Sequence, residues 1–278
     1  MRTHTRILTG CLLTAATAAL TPAHAITVDG QRDADYTLGA LQANPTGWGS
    51  GNVLANLYYH RGASQLSLFV GGRPDNNAFL LFVDSKPGGQ NVLNNTQAGG
   101  DAIQLNNLNG FKFDAGFEAD YMLRVFGNAA GDAYVNVFDL AANDNAYWGN
   151  ANPNPVALPL DMAVFARDWQ AVPAGYDPAS VTAGFEISLY YGVVGLTGPA
   201  DSWKVSALLS NGGSDYLSNQ QLGSLPAGTG DIGNNTSGNW DQTKYAGDQY
   251  VLVPEPATGS LLAIGLGLLL AARPRRQP

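Results

Sequence analysis

The chain has 278 residues, enough for a domain with a sizeable core, and a net charge of −8 at pH 7. An acidic chain without a basic patch cannot neutralise phosphates, which excludes a nucleic-acid partner. Its single cysteine, Cys11, and two of its three histidines precede residue 26. His60 is the only histidine after that point, which argues against zinc, copper and thiol chemistry.

The first 25 residues have the pattern of a secretory signal peptide. Arginines precede an apolar stretch at residues 7–20, and Ala23-His24-Ala25 fits the small-x-small cleavage rule. A lipoprotein cleavage box ending at Cys11 is the alternative, but too few apolar residues precede this cysteine. The sequence therefore predicts export and a mature chain that begins at Ile26. Without both end segments the net charge is near −12, from 21 acids and nine bases.

Residues 26–252 read as one all-β domain. The segment 185–189 alternates apolar and polar side chains, as in a strand with one buried face, whereas 78–83 is apolar throughout, as in a strand covered on both faces. Turns rich in Gly, Asn and Pro separate such runs, and no amphipathic helix period extends over ten residues. The pattern predicts an antiparallel two-sheet sandwich. Strands are predicted at 54–59, 65–70, 78–83, 121–125, 134–138, 185–189, 203–209 and 248–253.

Three shorter predictions concern the segments between these strands. Residues 191–196 are predicted to form a short helical turn. Residues 143–159 and 225–240 are polar and rich in glycine or proline, which predicts two long loops suited to binding or disorder.

Tryptophans are the candidate sugar-binding residues, because the C–H faces of sugars stack on flat aromatic surfaces. Trp148 and Trp169 are predicted as ligand-binding residues. The opposing interpretation is that the loop tryptophans Trp48, Trp148 and Trp240 cover sheet edges. Trp203 opens a predicted strand and is assigned to the core.

Calcium is the one ion that the composition suggests, and no other cofactor is expected. It accepts oxygen ligands from aspartate, asparagine and backbone carbonyls. Asp29, Asp33 and Asp35 form one cluster of such residues, and Asp75-Asn76-Asn77 and Asp215 are others. Aspartate is also an ordinary turn residue, so a purely structural role is the alternative.

The sequence gives little support to an enzymatic function. A glycosidase needs two facing carboxylates, which Glu118 with Asp120, or Glu186 with an aspartate, could supply. No Gly-x-Ser-x-Gly motif marks a serine nucleophile. The sequence predicts a non-enzymatic protein, and an extracellular carbohydrate-active hydrolase is the alternative.

The last 26 residues, 253–278, combine three features in order. Pro254-Glu255-Pro256 precedes an uncharged apolar run at 257–272, and three arginines follow the run. At ~1.5 Å rise per residue the run spans about 24 Å as a helix, which is shorter than the ~30 Å hydrocarbon core. The bordering arginines can snorkel to the membrane surface, so a run of this length can still span the membrane. The positive-inside rule then places the C-terminus in the cytoplasm. The arginines are Arg273, Arg275 and Arg276.

This tail resembles the PEP-CTERM sorting signal of Gram-negative bacteria that make exopolysaccharide. The resemblance rests on Pro254, Glu255 and Pro256, the apolar run and the terminal arginines. It implies that a membrane-embedded exosortase removes the tail. The protein would then be held transiently in the inner membrane and pass to the cell surface or to a biofilm-type extracellular matrix. An ordinary C-terminal anchor with a chance Pro-Glu-Pro is the alternative.

The middle of the chain has a second, weaker resemblance, which covers most of residues 26–217. The segments 26–30, 68–71, 83–85 and 184–189 are similar to family 9 carbohydrate-binding modules and to the related DOMON sandwiches. The resemblance implies a jelly-roll-like β-sandwich that often carries calcium and sometimes binds sugars. No aromatic motif matches position by position, so no ligand residue is carried over. Exopolysaccharide is the predicted ligand of a surface or matrix protein.

Overall fold

A computed structural model describes residues 26–97, 102–151, 155–158, 163–198, 201–223, 225–235 and 240–254. The predicted signal peptide at 1–25, with Ala23 and Ala25, lies outside these residues. So does the sorting tail from Glu255 onward, including the predicted transmembrane helix at 257–272. Within the described part of the chain, no helix is both long and apolar enough to cross a membrane.

The described residues form a nearly all-β domain, as the sequence predicts, with one short helix, α1 (Ala102–Asn106). In chain order its strands are β1 (Thr37–Leu41), β2 (Asn52–Arg61), β3 (Gln65–Pro74), β4 (Asn77–Asp84), β5 (Tyr121–Gly127), β6 (Ala133–Asp139), β7 (Asp144–Ala151), β8 (Val156–Ala157), β9 (Ala163–Arg167), β10 (Gly184–Tyr190), β11 (Trp203–Asn211), β12 (Tyr216–Leu222), β13 (Gly233–Asn234) and β14 (Val251–Val253).

Two antiparallel sheets make up the domain. The first sheet has the order β1-β2-β3-β10-β9-β8. The second has the order β13-β12-β11-β4-β5-β6-β7, and β14 pairs with the free part of the β11 edge. All pairs between these strands are antiparallel. The predicted two-sheet antiparallel fold is therefore confirmed.

The main core lies between the sheets, and strand alternation decides which side chains enter it. In β10, Phe185, Ile187 and Leu189 point into this core, where all three are fully buried. Glu186 and Ser188 point to the opposite face of the first sheet. The alternation at 185–189 is therefore confirmed.

The outer face of the second sheet is covered by a further layer, so this sheet is buried on both sides. Phe79, Leu81 and Val83 of β4 face the main core, and Leu80 and Phe82 belong to a second core on the outer side. This arrangement explains why β4 is apolar at every position. The covering side chains come from residues 93–117 and from Trp240: Leu93, Leu105, Leu108, Phe111, Phe113, Phe117 and Trp240.

Several elements differ from the sequence predictions. The segment 143–159 contains β7 and β8, and 225–240 contains β13, so these two predicted loops are wrong in part. Strands β7 and β13 are polar edge strands and β8 has only two residues, so none of them carries a clear alternation. Strand β12 was not predicted either, because its sequence is rich in buried amides whose partners are distant in the chain. The helical turn predicted at 191–196 is a 3-10 helix, Tyr191–Val194.

The last strand closes the sandwich directly before the sorting tail. Val253 pairs with Trp203, and Val251 pairs with Val205. Arg61 Nη2 donates a hydrogen bond of 2.8 Å to the carbonyl of Val253. Val251 and Val253 are buried, whereas Leu252 is 55% exposed. The folded domain therefore passes into Pro254 with no linker.

Candidate functional site

An open cleft with two aromatic rings lies at the end of the sandwich where β2 and β4 begin and β11 ends. Its volume is about 490 Å³. We name it the Trp48 cleft. Its lining side chains are Trp48, Asn52, Asn77, Asn211, Asp215, Tyr216, Asp231 and Asn234.

The ring of Trp48 is held in place by its own loop and by the opposite wall. The hydroxyl of Thr46 accepts a hydrogen bond from the backbone N–H of Trp48 at 3.0 Å. The indole Nε1–H donates to Asp231 Oδ2, also at 3.0 Å. The ring centroids of Trp48 and Tyr216 are 5.9 Å apart at an interplanar angle of 48°. An aromatic surface fixed in advance reduces the entropy cost of binding.

The rim of the cleft is polar and its amides are ordered. Asn77 Nδ2 donates to Asn52 Oδ1 at 2.6 Å, which joins β4 of the second sheet to β2 of the first. Asn211 Oδ1 accepts from the backbone N–H groups of Asp215 and Tyr216 at 3.0 and 3.1 Å. Among the described residues that line the cleft there are two aspartates and no lysine or arginine. The cleft thus offers donors and acceptors for hydroxyl groups and disfavours anions.

A second depression, of about 450 Å³, lies on the outer face of the second sheet. Its aromatic side chains come from three adjacent strands. The rings of Phe126 and Tyr134 are 6.2 Å apart, and Tyr147 on the edge strand is 56% exposed. We name this depression the Tyr147 groove. It is lined by Gln104, Arg124, Phe126, Asn128, Tyr134, Asn136, Tyr147 and Gly212.

The two tryptophans predicted to bind ligand lie elsewhere. Trp148 is 8% exposed and belongs to the main core, beside a small depression that Tyr121 and Val193 also line. Trp169 is partly buried and packs edge-on against Phe79, with ring centroids 6.1 Å apart. Their ligand-binding role stays a prediction. Trp203 and Trp240 are 2% and 1% exposed, as expected of core and covering residues.

Sequence reasoning missed the pairing that forms the Trp48 cleft. A tryptophan between two glycines, Gly47-Trp48-Gly49, was the available signal, but it equally fits a residue that covers a sheet edge. Tyr216 gave no signal, because β12 was not predicted. The sheet order alone brings these two residues together.

The predicted calcium residues act as hydrogen-bond acceptors in the N-terminal segment. Asp29 Oδ1 accepts the backbone N–H of Gln31 at 2.8 Å, and Asp33 Oδ2 accepts that of Thr27 at 2.8 Å. Asp35 lies beside them, its carbonyl 3.2 Å from His60 Nδ1. Within the described residues no group of three or more His, Cys, Asp or Glu side chains is placed to hold a metal ion. The calcium site stays a prediction.

The carboxylates considered for the hydrolase alternative lie in different environments and have different hydrogen-bond partners. Glu186 is fully buried, with Tyr36 and two backbone N–H groups as partners. Asp120 is also fully buried, and its Oδ2 accepts from the backbone N–H groups of Ser85 and Lys86. Burial raises the pKa of Asp120 above its ordinary value, against the two N–H donors. Glu118 is exposed at the protein surface.

The protein is thus an all-β, two-sheet antiparallel domain with an open aromatic cleft at one end. Residues 252–276, which begin within β14, match the model of the PEP-CTERM protein-sorting motif. The protein therefore carries this motif, and it is an exported protein that is membrane-anchored for sorting and processed by exosortase, in the manner of Gram-negative bacteria.

The predicted sorting residues lie within the matched segment: Pro254, Glu255, Pro256, Arg273, Arg275 and Arg276. No curated protein and no solved structure matches the chain. The resemblance of residues 26–217 to carbohydrate-binding modules therefore stays a prediction, although the two-sheet architecture that it implies is present.

Proposed function

We propose that the protein is a non-enzymatic component of the cell surface or of the exopolysaccharide matrix, and that it binds polysaccharide through the Trp48 cleft. The observation that carries the proposal is the fixed pair of Trp48 and Tyr216 inside a rim of amides and carboxylates. It occurs in a protein whose tail directs it out of the cell.

The chemistry of the cleft suits a carbohydrate. Sugar rings present C–H faces that pack on aromatic surfaces, while their hydroxyls need directional partners. The amides of Asn77 and Asn211 and the carboxylate of Asp215 supply donors and acceptors beside the rings. An apolar ligand would displace water from these polar groups and offer no hydrogen bonds in return, which disfavours its binding.

The cleft gives little support to the hydrolase alternative. A glycosidase needs a protonated carboxyl to act on the leaving oxygen. Asp231 accepts hydrogen bonds on both oxygens, from the indole of Trp48 and from the backbone N–H of Asn219. Both oxygens of Asp231 are thus occupied in holding the Trp48 ring and the β12 backbone in place, which is a positioning role.

Binding of purified residues 26–254 to the host's exopolysaccharide tests the proposal. We expect binding by the wild type, and a loss of at least about tenfold in affinity for Trp48→Ala, equivalent to ~1.4 kcal/mol. Tyr216→Phe keeps the ring and should bind nearly as the wild type does. Chelator is included in parallel, because calcium that orders the loops would make binding chelator-sensitive.

Trp169→Ala is the control, since it removes a partly buried tryptophan that does not line the cleft. Thermal unfolding of each variant separates loss of binding from loss of fold. The proposal is wrong if the wild type does not bind, or if folded Trp48→Ala binds as well as the wild type. A specific loss in Trp169→Ala would instead support the residue predicted from the sequence.

A further inference from the structure

We propose that the Trp48 cleft and the Tyr147 groove form one extended site, which binds a neutral polysaccharide as a chain laid across the turn between β11 and β12. The inference rests on the proposed function and specifies its ligand: a polymer with contacts on both sides of the turn, uncharged at neutral pH.

The two depressions are separated by a single hairpin turn. Asn211 and Asp215 line the Trp48 cleft, and Gly212, the residue next to Asn211, lines the Tyr147 groove. Adjacent strands in a sheet lie ~5 Å apart, so this ridge is only about one hairpin wide. A ligand longer than one sugar can therefore reach from one depression into the other.

The turn between β11 and β12 is held by several hydrogen bonds, so it can support a polysaccharide chain that lies across it. Arg124 donates from its guanidinium to the carbonyl of Gly212, and Asn107 Nδ2 donates to the carbonyl of Gly213 at 2.8 Å. Ser214 is fully buried in a left-handed backbone conformation, φ 57°, and its N–H donates to the carbonyl of Asn211 at 3.0 Å. The turn is thus anchored to β5 of the second sheet and to the residue that follows α1.

Aromatic rings flank the turn on both sides. Trp48 and Tyr216 lie on one side, and Phe126, Tyr134 and the exposed Tyr147 lie on the other. Two stacking surfaces on one ligand act with a high effective concentration, so their contributions combine when the chain is long enough to reach both. A short fragment can occupy only one of them.

Charge indicates which polysaccharides fit. Asp215 and Asp231 place two carboxylates in the cleft. The guanidinium of Arg124 in the groove already bonds the Gly212 carbonyl and lies 5.2 Å from the centre of the Phe126 ring. Residues 26–252 carry a net charge near −12. A polyanionic chain would be repelled by the two carboxylates of the cleft and by the net charge of the domain, so a neutral chain is the ligand that the extended site favours.

Fragments of the host's exopolysaccharide, made by partial acid hydrolysis, test the inference. Anion exchange separates them into neutral and acidic pools, and gel filtration sorts each pool by length. Affinity is measured calorimetrically with residues 26–254. We expect neutral fragments to bind, and affinity to rise at least about tenfold between the shortest and longest fragments.

Two variants locate the subsites. Tyr147→Ala, on an exposed edge strand, should weaken long fragments about tenfold and leave short ones unchanged, since it removes only the second contact. Trp48→Ala should weaken both lengths. Leu252→Ala is the control, because Leu252 is exposed near Asp84, at the opposite end of β4 from the cleft residue Asn77.

The outcomes separate this inference from the proposed function. Binding that is independent of length, unaffected by Tyr147→Ala, or stronger for the acidic pool overturns the extended neutral site while polysaccharide binding stands. Absence of wild-type binding to every pool overturns the proposed function and the extended site with it.

Discussion

The hydroxyl of Tyr36 donates a hydrogen bond of 2.8 Å to Glu186 Oε1, although the two residues are 150 positions apart. The other carboxylate oxygen accepts the backbone N–H groups of Asp29 and Gly30, at 2.8 and 3.0 Å. Glu186 is fully buried on the outer face of the first sheet. One side chain of β10 thus fastens the N-terminal segment to the domain.

Stability should depend on pH through this carboxyl. Burial raises the pKa of Glu186 from 4.5 to about 7, although Tyr36 and the two N–H groups favour the ionised form. The folded protein disfavours ionisation of Glu186. The contribution of Glu186 to the free energy of unfolding is therefore fully present below pH ~4.5 and is lost as the pH rises through about 7. Between pH 5 and 8 the free energy of unfolding should fall by up to roughly 3 kcal/mol from this group.

Urea unfolding at pH 5, 6, 7 and 8 measures this effect. Glu186→Gln should be less stable overall, because its amide cannot accept all three hydrogen bonds, but it should lose the Glu186 part of the pH slope. Glu118→Gln, at an exposed site, should keep the wild-type slope. Equal slopes in wild type and Glu186→Gln would contradict the prediction.

A methyl group at Gly30 should loosen the same segment. Gly30 has φ +87°, and a Cβ there would lie 2.3 Å from the backbone nitrogen of Asp168. Strain and clash together should lower the free energy of unfolding of Gly30→Ala by at least about 2 kcal/mol. Chemical denaturation measures the loss.

Gly88→Ala is the matched control for this substitution. Gly88 also has positive φ, +94°, but a Cβ there would meet nothing within 4 Å. It should report the backbone strain alone. If both substitutions cost the same, the close approach of Gly30 to Asp168 contributes nothing.

The last strand should be necessary for a stable domain. Removing residues 251–254 exposes the surface covered by Val251 and Val253 and leaves part of the β11 edge unpaired. Burial of each valine contributes about 1.5–3 kcal/mol. Residues 26–250 should therefore unfold at a clearly lower temperature than residues 26–254. Leu252→Ser in the longer chain should have little effect, since this side chain is largely exposed.

Processing should leave this strand in the released protein. The matched sorting motif begins at residue 252, yet Leu252 and Val253 are already part of β14. A cut before Val253 would remove its pairing with Trp203 and the hydrogen bond from Arg61. Intact-mass measurement of the released protein should therefore place its C-terminus after Val253. A C-terminus at or before residue 252 would contradict this.

The strands that could be predicted are those whose own sequence shows a pattern of apolar residues. Alternation at 185–189 and the fully apolar 78–83 identified strands, because burial on one or both faces fixes the residue types of that strand. Strands β7, β12 and β13 gave no such signal. In β12, the buried side-chain amides of Gln220 and Gln221 donate to the backbone carbonyls of the distant residues Asn44 and Gln249, which no local pattern reveals.

Export and sorting of this protein could be predicted from the sequence alone, because a PEP-CTERM tail is recognised as a linear segment, with its motif, apolar run and arginines in order. The two-sheet class could be predicted in the same way. The Trp48 cleft, in contrast, could not be predicted before the strands were placed. Trp48 and Tyr216 are 168 positions apart in the chain, and they meet because β2 and β12 both begin at the same end of the sandwich. A site built from separate strands exists only after the sheets have paired.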